Sequence, residues 1–151
     1  MYKLITEAET IPTNFSGIAE NSNGAKSYYV NGQRHRDGGL PAVEHYGYKE
    51  YWVNGKRHRD GGLPAIENNN GYKEYWVNGK RHRDGGLPAF ESSDGDKEYY
   101  VNGQRHRDGG LPAIVIVNSD DYDDYYNDND TIYYVNGKQL TEAEAKSLAP
   151  S

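Results

Sequence analysis

The residues best suited to chemistry lie in a cluster, Arg-His-Arg-Asp, that occurs four times along the chain. Arginine can donate two parallel hydrogen bonds to a phosphate or carboxylate, and histidine changes charge near neutral pH. The cluster therefore predicts one of two roles: a ladder of sites for an anionic ligand, or a structural turn. In the turn, one arginine would pair with the aspartate and the histidine would pack on an aromatic ring. The candidate binding residues in the clusters are Arg34, Arg36, Arg57, His58, Arg59, Arg81, His82, Arg83, Arg105 and Arg107.

Pairs of aromatic residues precede the clusters and form a second candidate set. Adjacent residues on a β-strand point to opposite faces, so one ring of each pair is expected to pack inward and the other to lie on the far face. Tyrosine, tryptophan and arginine dominate the energetics of protein interfaces. The outward rings therefore predict either structural cross-strand pairs or a protein-binding stripe. The candidates for this stripe are Tyr29, Trp52, Trp76 and Tyr100.

Both sets belong to an internal repeat. The segment VNGQRHRDGGLPA at 30–42 recurs from Val53, Val77 and Val101 with at most one change, at spacings of 23, 24 and 24 residues. A period of this length is typical of stacked supersecondary units. In each unit an aromatic run, an Asn-Gly turn and a short proline-led run predict a β-hairpin. The predicted fold is all-β: an elongated, single-layer antiparallel meander of tandem β-hairpin repeats with a short C-terminal helix.

The flanking segments differ from the repeats and divide the chain into four predicted parts. Residues 1–24 are expected to form an N-terminal cap and degenerate half-repeat, 25–115 four tandem repeats, 116–131 an acidic insertion loop, and 132–151 a C-terminal half-repeat with a capping helix. Thr141 and Glu144 have the spacing of a capping box, which predicts a helix over 142–148. The insertion lacks the pattern of a calcium loop, so we expect a mobile, solvated loop without metal.

The composition limits the thickness of the core and the cellular setting. Only 34% of the 151 residues are hydrophobic, and 15 tyrosines stand against 2 phenylalanines. Because a tyrosine hydroxyl prefers a wet or hydrogen-bonded environment, this balance favours a thin sheet. Cysteine is absent, which excludes disulfides and thiolate metal sites. No apolar run has the length of a signal peptide or a membrane span, so we expect a cytoplasmic protein without a membrane partner.

The charge is distributed unevenly. The chain carries a net −6, yet residues 26–115 hold 14 Lys and Arg against 12 Asp and Glu, whereas residues 116–151 hold 2 against 8. The repeats are therefore near neutral and the C-terminal part is acidic. Nonspecific nucleic-acid binding depends on a clear cationic excess, so duplex nucleic acid is not expected as a partner.

Enzymatic chemistry is not expected. The sequence contains no HExxH motif, no phosphate-binding loop and no recognisable pair of nucleophile and base. Four copies of one site would also be an unusual way to build an enzyme. We therefore expect no catalytic residues and no cofactor.

The string YWVNGKRH, at 51–58 and again at 75–82, resembles the core of the MORN repeat (membrane occupation and recognition nexus). The resemblance covers the four units, and the hairpin order agrees with that family. One departure is the arginine after the histidine, where the family usually has glycine. The repeats are similar to divergent MORN-like repeats of bacteria, bacteriophages and large DNA viruses. This resemblance implies binding, scaffolding or immunity-type roles and no shared catalytic residues.

Taken together, these observations predict a non-catalytic repeat protein that binds a protein partner. Its expected effect is to inhibit or scaffold that partner, and phage-encoded counter-defence is one role of this type. The alternative is capture of a phosphate-bearing or other anionic small molecule between neighbouring Arg/His clusters. Oligomerisation through the sheet edges is left open, because terminal strands expose unpaired backbone groups.

Overall fold

The computed structural model describes residues 3–6, 10–117 and 130–150. Most of the predicted acidic insertion, residues 118–129, lies outside this part of the chain. The described elements, in chain order, are β1 (Lys3–Thr6), β2 (Gly17–Glu20), β3 (Lys26–Val30), β4 (Gln33–Arg34), β5 (Val43–His45), β6 (Tyr48–Glu50), β7 (Trp52–Val53), β8 (Lys56–Arg57), β9 (Ile66–Glu67), β10 (Lys73–Glu74), β11 (Trp76–Val77), β12 (Lys80–Arg81), β13 (Phe90–Glu91), β14 (Lys97–Glu98), β15 (Tyr100–Val101), β16 (Gln104–Arg105), β17 (Ile114–Ile116), β18 (Asp130–Val135), β19 (Lys138–Leu140) and α1 (Glu142–Ser147).

One meandering sheet runs through the whole described structure. Its path follows the order β1-β2-β3-β5-β6-β9-β10-β13-β14-β17-β18-β19, and β4 pairs beside β3. Neighbouring strands are antiparallel except for the parallel pair of β1 and β2. With about 4.8 Å between strands, the path extends over roughly 50 Å. The predicted all-β, single-layer meander with a short C-terminal helix is confirmed.

The second, third and fourth units each contribute two strands to this sheet and one two-stranded ribbon, whereas in the first unit β3 is continuous and pairs directly with β4. In the unit around Tyr75, β10 and β13 belong to the sheet, while β11 and β12 form the ribbon. The backbone changes partner at Tyr75, whose N–H donates to the carbonyl of Ala89 (2.8 Å) and whose carbonyl accepts from the N–H of His82 (3.0 Å). The sequence predicted two strands per unit. The structure divides the second, third and fourth units into four short strands each because of this change of partner.

The ribbon turns have the geometry predicted from their Asn-Gly sequences. Asn78 has a φ of 49° and Gly79 a φ of 81°, both in the left-handed region. Such angles suit a tight two-residue hairpin, and asparagine and glycine adopt them at the lowest steric cost. The same pair therefore closes the ribbon in each unit.

Successive ribbons are joined to one another by backbone hydrogen bonds. The N–H of Gly79 donates to the carbonyl of Arg57 (2.9 Å), and the N–H of Arg59 donates to the carbonyl of Trp76 (3.4 Å). Equivalent glycine-to-arginine bonds recur at the other units: Gly55 to Arg34, Gly103 to Arg81 and Gly137 to Arg105. The ribbons thus form a second continuous row beside the sheet, and each unit fixes the position of the next.

The core is a narrow column that repeats with the units. Its tyrosines are 5–7% exposed and its alanines are fully buried. These residues are Tyr51, Tyr75, Tyr99, Ala42, Ala65, Ala89 and Ala113. Because every unit buries one ring and one small residue, the core is one side chain deep, as expected for a thin sheet.

The N-terminal part closes the first unit. Phe15 is 5% exposed and packs on Tyr29, with 6.0 Å between the ring centroids. Tyr29 is in turn only 8% exposed. The first unit therefore has its own small core, in which Ala19 and Ile11 also take part.

Helix α1 closes the opposite end. The Thr141 side chain accepts from the N–H of Glu144 (3.2 Å), and the Glu144 carboxylate accepts from the N–H of Thr141 (2.8 Å), so the predicted capping box is confirmed. Ala145 is buried, and the helix lies against the loop of the fourth unit at Gly110. No helix in the described residues is both long and apolar enough to cross a bilayer.

Candidate functional site

The first arginine of each cluster and the second ring of each aromatic pair form one alternating stack. We call it the Trp–Arg column. Within it, guanidinium carbons lie 5.0–5.9 Å from the ring centroids, within range of a cation–π interaction. In order, the column contains Arg34, Trp52, Arg57, Trp76, Arg81, Tyr100, Arg105 and Tyr134. The structure thus brings together the first arginine of each cluster and three of the four predicted stripe residues.

A glutamate anchors each central rung of the column, buried at Glu50 and Glu74 and 21% exposed at Glu98. Glu74 is 5% exposed and accepts hydrogen bonds from the indole N–H of Trp76 (2.8 Å), from Nε of Arg81 (3.1 Å) and from the hydroxyl of Tyr72. Glu50 and Glu98 repeat this arrangement in the neighbouring units. These contacts fix both the ring and the guanidinium, so the column is held in one geometry.

The sequence analysis did not single out these glutamates. Glu74 ends β10 and Trp76 begins β11, two residues later in the same extended stretch of chain, and residues two apart in extended backbone share a face. A glutamate two positions before the outward aromatic residue was the signal that could have identified the anchor. Its place in the strand, away from the Arg-His-Arg-Asp cluster, is the reason that it was missed.

Burial and these carboxylates favour the neutral form of the tyrosines beside the column. Burial, and then the hydrogen bond to Glu74, raise the pKa of Tyr72 to about 12. The pKa of Tyr48 is raised for the same reasons, with Glu50 as the hydrogen-bond partner. Each of these hydroxyls is therefore a donor at neutral pH.

Shallow grooves separate the central rungs of the column. The groove between Trp52 and Trp76 has a volume of about 360 Å³ and is lined by Lys56, Arg57 and Lys80. The next groove, between Trp76 and Tyr100, has a volume of about 410 Å³. Lys56 and Lys80 are exposed, and the side chain of Lys56 lies over the turn at Gly79. The centre of the column is therefore both aromatic and cationic.

The column changes at its first rung. Ser27 stands where the later units have Glu50, Glu74 and Glu98. Within the described part of the chain, Nε of Arg34 is buried without a hydrogen-bond partner. Arg34 is therefore held differently from Arg57, Arg81 and Arg105.

The second arginine of each cluster lies in a separate stack. Arg36, Arg59, Arg83 and Arg107 lie 3.6–3.8 Å above the rings of Tyr28, Tyr51, Tyr75 and Tyr99. Arg83 is typical, since its guanidinium also donates to the carbonyl of Pro88 (3.0 Å) and to Glu91 (2.7 Å). Arg107 has Val115 in the place of that glutamate and donates to the carbonyl of Pro112 (3.1 Å). These arginines mainly hold the loop of their own unit.

The histidine and aspartate of each cluster join neighbouring units. His82 Nδ1 accepts from the backbone N–H of Asn102 in the next unit (3.1 Å), so the ring proton is on Nε2, which donates to Asp84 (3.0 Å). The sequence predicted an arginine–aspartate pair and a histidine packed on a ring. That prediction was wrong, because the aspartate follows the histidine at a distance that suits the imidazole, and the arginines reach glutamates on the strands.

Three equivalent clefts lie between successive loops that contain the Gly-Gly-Leu sequence. Their volumes are about 300, 280 and 250 Å³. The middle cleft is lined by His58, Arg59 and Asp60 of one unit, and by His82 and Arg83 of the next, among others. The aspartates on the rims are 92–96% exposed. The clefts therefore present acidic rims, although arginines line their walls.

One predicted stripe residue lies elsewhere. Tyr29 packs against Phe15 and is buried, so its ring is not available to a partner. The predicted binding residues fall into two stacks and three clefts, and each geometry is repeated along the chain. The fold and these repeated surfaces define the class of tandem β-hairpin repeat proteins. A scan against protein-family models finds no match, and searches of curated proteins and of solved structures find no significant match.

Proposed function

We propose that this protein binds the surface of another protein through the Trp–Arg column and thereby inhibits or scaffolds that partner. The observation that carries this proposal is the alternating stack itself, in which Trp52, Arg57, Trp76 and Arg81 lie side by side. Tryptophan, tyrosine and arginine are the residue types most enriched among interface hot spots. The column presents these residue types at regular spacing along one surface.

Preorganisation supports the same function. Glu50 and Glu74 hold the two indole N–H groups at 2.7 and 2.8 Å, so the rings do not have to be ordered when a partner binds. Ordering a flexible side chain at an interface costs about 0.5–1.5 kcal/mol. The anchored column avoids most of this cost.

The charge of the column indicates the kind of partner. Lys56, Lys80 and the column arginines outnumber the glutamates beneath them, and the two lysines are exposed. Complementary charge accelerates association and selects among partners. The partner surface is therefore acidic where it faces Trp52 and Trp76.

The resemblance of the repeats to MORN-like repeats of bacteria, bacteriophages and large DNA viruses agrees with such a role. Membership of that family implies binding or immunity-type functions for those proteins. Inhibition of a host protein by a phage-encoded array is the most specific form of the proposal.

The proposal is tested with the double variant W52L/W76L, which keeps apolar bulk at both sites. Affinity capture from a host lysate identifies the partner of the wild type, and its affinity is then measured with purified proteins. Two hot-spot residues contribute about 2 kcal/mol each, so we expect binding to weaken roughly 1,000-fold. The matched control is Tyr46→Ala, because Tyr46 is an aromatic residue outside the column that is 89% exposed. Unchanged affinity in a folded W52L/W76L protein would exclude the column as the binding surface.

Anionic small-molecule capture remains the alternative, and the three similar clefts favour testing it. Titration calorimetry with nucleotides and other anionic metabolites should then give about three equivalent sites per chain. The exposed aspartates on the rims oppose this function, since they repel an anion at the entrance. If none of these ligands gives a measurable heat of binding, capture of an anionic small molecule is excluded.

A further inference from the structure

The chain itself shows what can occupy the space beside a Gly-Gly-Leu loop. Helix α1 lies so close to the fourth loop that a Cβ atom added to Gly110 would be 3.0 Å from Cα of Lys146 and 3.3 Å from Cβ of Ala149. The helix follows directly after β19, at the point in the repeat where earlier units have their own loop. At this end of the array, a helix therefore packs on the loop glycine.

The same glycine is open in the other three loops. Among the described residues, nothing lies within 4 Å of a Cβ atom added to Gly39, Gly62 or Gly86. The leucine that follows each loop glycine is exposed by 49–50%, although leucine usually lies inside a protein. These leucines are Leu40, Leu63, Leu87 and Leu111, and we call them the leucine stripe.

The period of the stripe matches that of an α-helix. Two strands per unit place successive leucines about 9.6 Å apart, and seven helical residues rise about 10.5 Å. A helix lying along the stripe would present the same face to each loop every seven residues. Because α1 already lies on the fourth loop, such a helix would contact Leu40, Leu63 and Leu87, which about 13 residues would span.

The charge beside the stripe limits the composition of such a helix. Asp37, Asp60 and Asp84 are 94–96% exposed at the rims of the clefts. Lysine or arginine beside the apolar face of a helix would meet these carboxylates. An acidic helix would be repelled.

From the seated helix, the open glycines and the acidic rims, we propose that the leucine stripe is a second docking surface, which binds a basic amphipathic helix of another protein with apolar residues every seven positions. Small side chains such as alanine face the loop glycines, as Ala149 does at the fourth loop. This surface borders the Trp–Arg column, since Trp52, Trp76 and Tyr100 also line the clefts between these loops.

The test uses a synthetic 24-residue peptide with leucine and alanine at heptad positions and lysine and glutamine elsewhere. The control peptide has the same composition, with its apolar residues at every second position. Fluorescence anisotropy should show binding of the heptad peptide and at least tenfold weaker binding of the control. Binding should also weaken as salt is raised, because the aspartates are exposed.

Variants of the protein separate docking on the stripe from nonspecific attraction. L40S/L63S/L87S should reduce affinity for the heptad peptide at least tenfold, and its far-UV spectrum should be unchanged because these side chains are half exposed. Both peptides are synthetic and need no identified partner, so failure of the capture experiment leaves this test intact. Equal binding of the two peptides, or unchanged affinity in the leucine variant, would overturn the proposal.

Discussion

At the scale of single residues, the buried glutamates have the largest effect on the geometry of the column. Glu74 serves three donors at once, and two of them, Trp76 and Arg81, are candidate binding residues. A buried carboxylate with several partners is stabilised by them and orients them in return. Binding and stability therefore depend on the same side chain.

Replacing Glu74 by glutamine should lower the free energy of unfolding by about 2 kcal/mol, because hydrogen bonds between charged partners are lost. The measurement is the urea midpoint, followed by circular dichroism. Glu91→Gln is the matched control, since the Glu91 side chain is 28% exposed and the Arg83–Glu91 pair should contribute less than about 1 kcal/mol. Equal losses in the two variants would contradict the role of Glu74.

Tyr72 should make stability depend on alkaline pH. Its pKa is raised to about 12 in the folded protein, above the ordinary value of 10, by burial and then by the hydrogen bond to Glu74. The folded state therefore retains a proton that the unfolded state loses, and stability falls as pH rises from 10 to 12. Urea unfolding at intervals of half a pH unit should show this slope. Tyr72→Phe should reduce this slope without abolishing it, because the pKa of Tyr48 is raised as well, and an unchanged slope would assign the whole effect to other groups.

Residue partners were the least predictable part of the site. The recurrence of Arg-His-Arg-Asp identified the residues but not their contacts, because spacing along a turn does not determine which carboxylate faces each guanidinium. Arg83 pairs with Glu91, eight residues away, and His82 takes Asp84. Burial of Tyr29 depends on Phe15 in the preceding segment, which no repeat pattern contains.

At the scale of the elements, the join between units depends on the histidine rather than on the sheet alone. His82 Nδ1 accepts from the N–H of Asn102, and the same contact recurs between His35 and Asn54, His58 and Asn78, and His106 and Asn136. Each contact holds a turn of the next ribbon. This explains why the cluster is repeated whether or not it binds a ligand.

His82→Ala should weaken one join by about 1 kcal/mol, the usual contribution of a single hydrogen bond. Amide hydrogen exchange at Asn102 should then become about fivefold faster, while exchange at Asn54 stays unchanged. His82→Asn should restore most of the protection, because its amide oxygen can stand at the position of Nδ1. Equal exchange in the alanine and wild-type proteins would show that the contact contributes nothing.

At the scale of the whole molecule, the sequence predicted the architecture well. A period of 23 or 24 residues with one Asn-Gly turn per unit leaves few alternatives to a meander of hairpins, and Thr141 with Glu144 located the helix. The parallel pairing of β1 with β2 was not predicted, since that segment lies outside the repeats. The repeat pattern thus predicted the strands of the interior units. The pairing of β1 with β2 depends on contacts that occur only at the N-terminal end.

Deletion of residues 54–77 removes one whole unit and joins Val53 to Asn78 in register. Because each unit contacts mainly its neighbours, we expect a folded protein whose denaturant slope falls by about one sixth, in proportion to the chain removed. Deletion of residues 54–65 is the control, since it joins Val53 to Ile66 out of register and should prevent cooperative folding. Loss of folding in both would show that the units are not independent modules.

The glycine-to-arginine backbone bonds between ribbons make the interior units interchangeable, while distinct segments close the two ends. Copy number is therefore free to change by in-frame tandem duplication, and each added copy would extend both exposed surfaces by about 10 Å. In evolution or by design, the length of the molecule can therefore change in steps of one unit. Its reach can be matched to a longer target without redesign of any single contact.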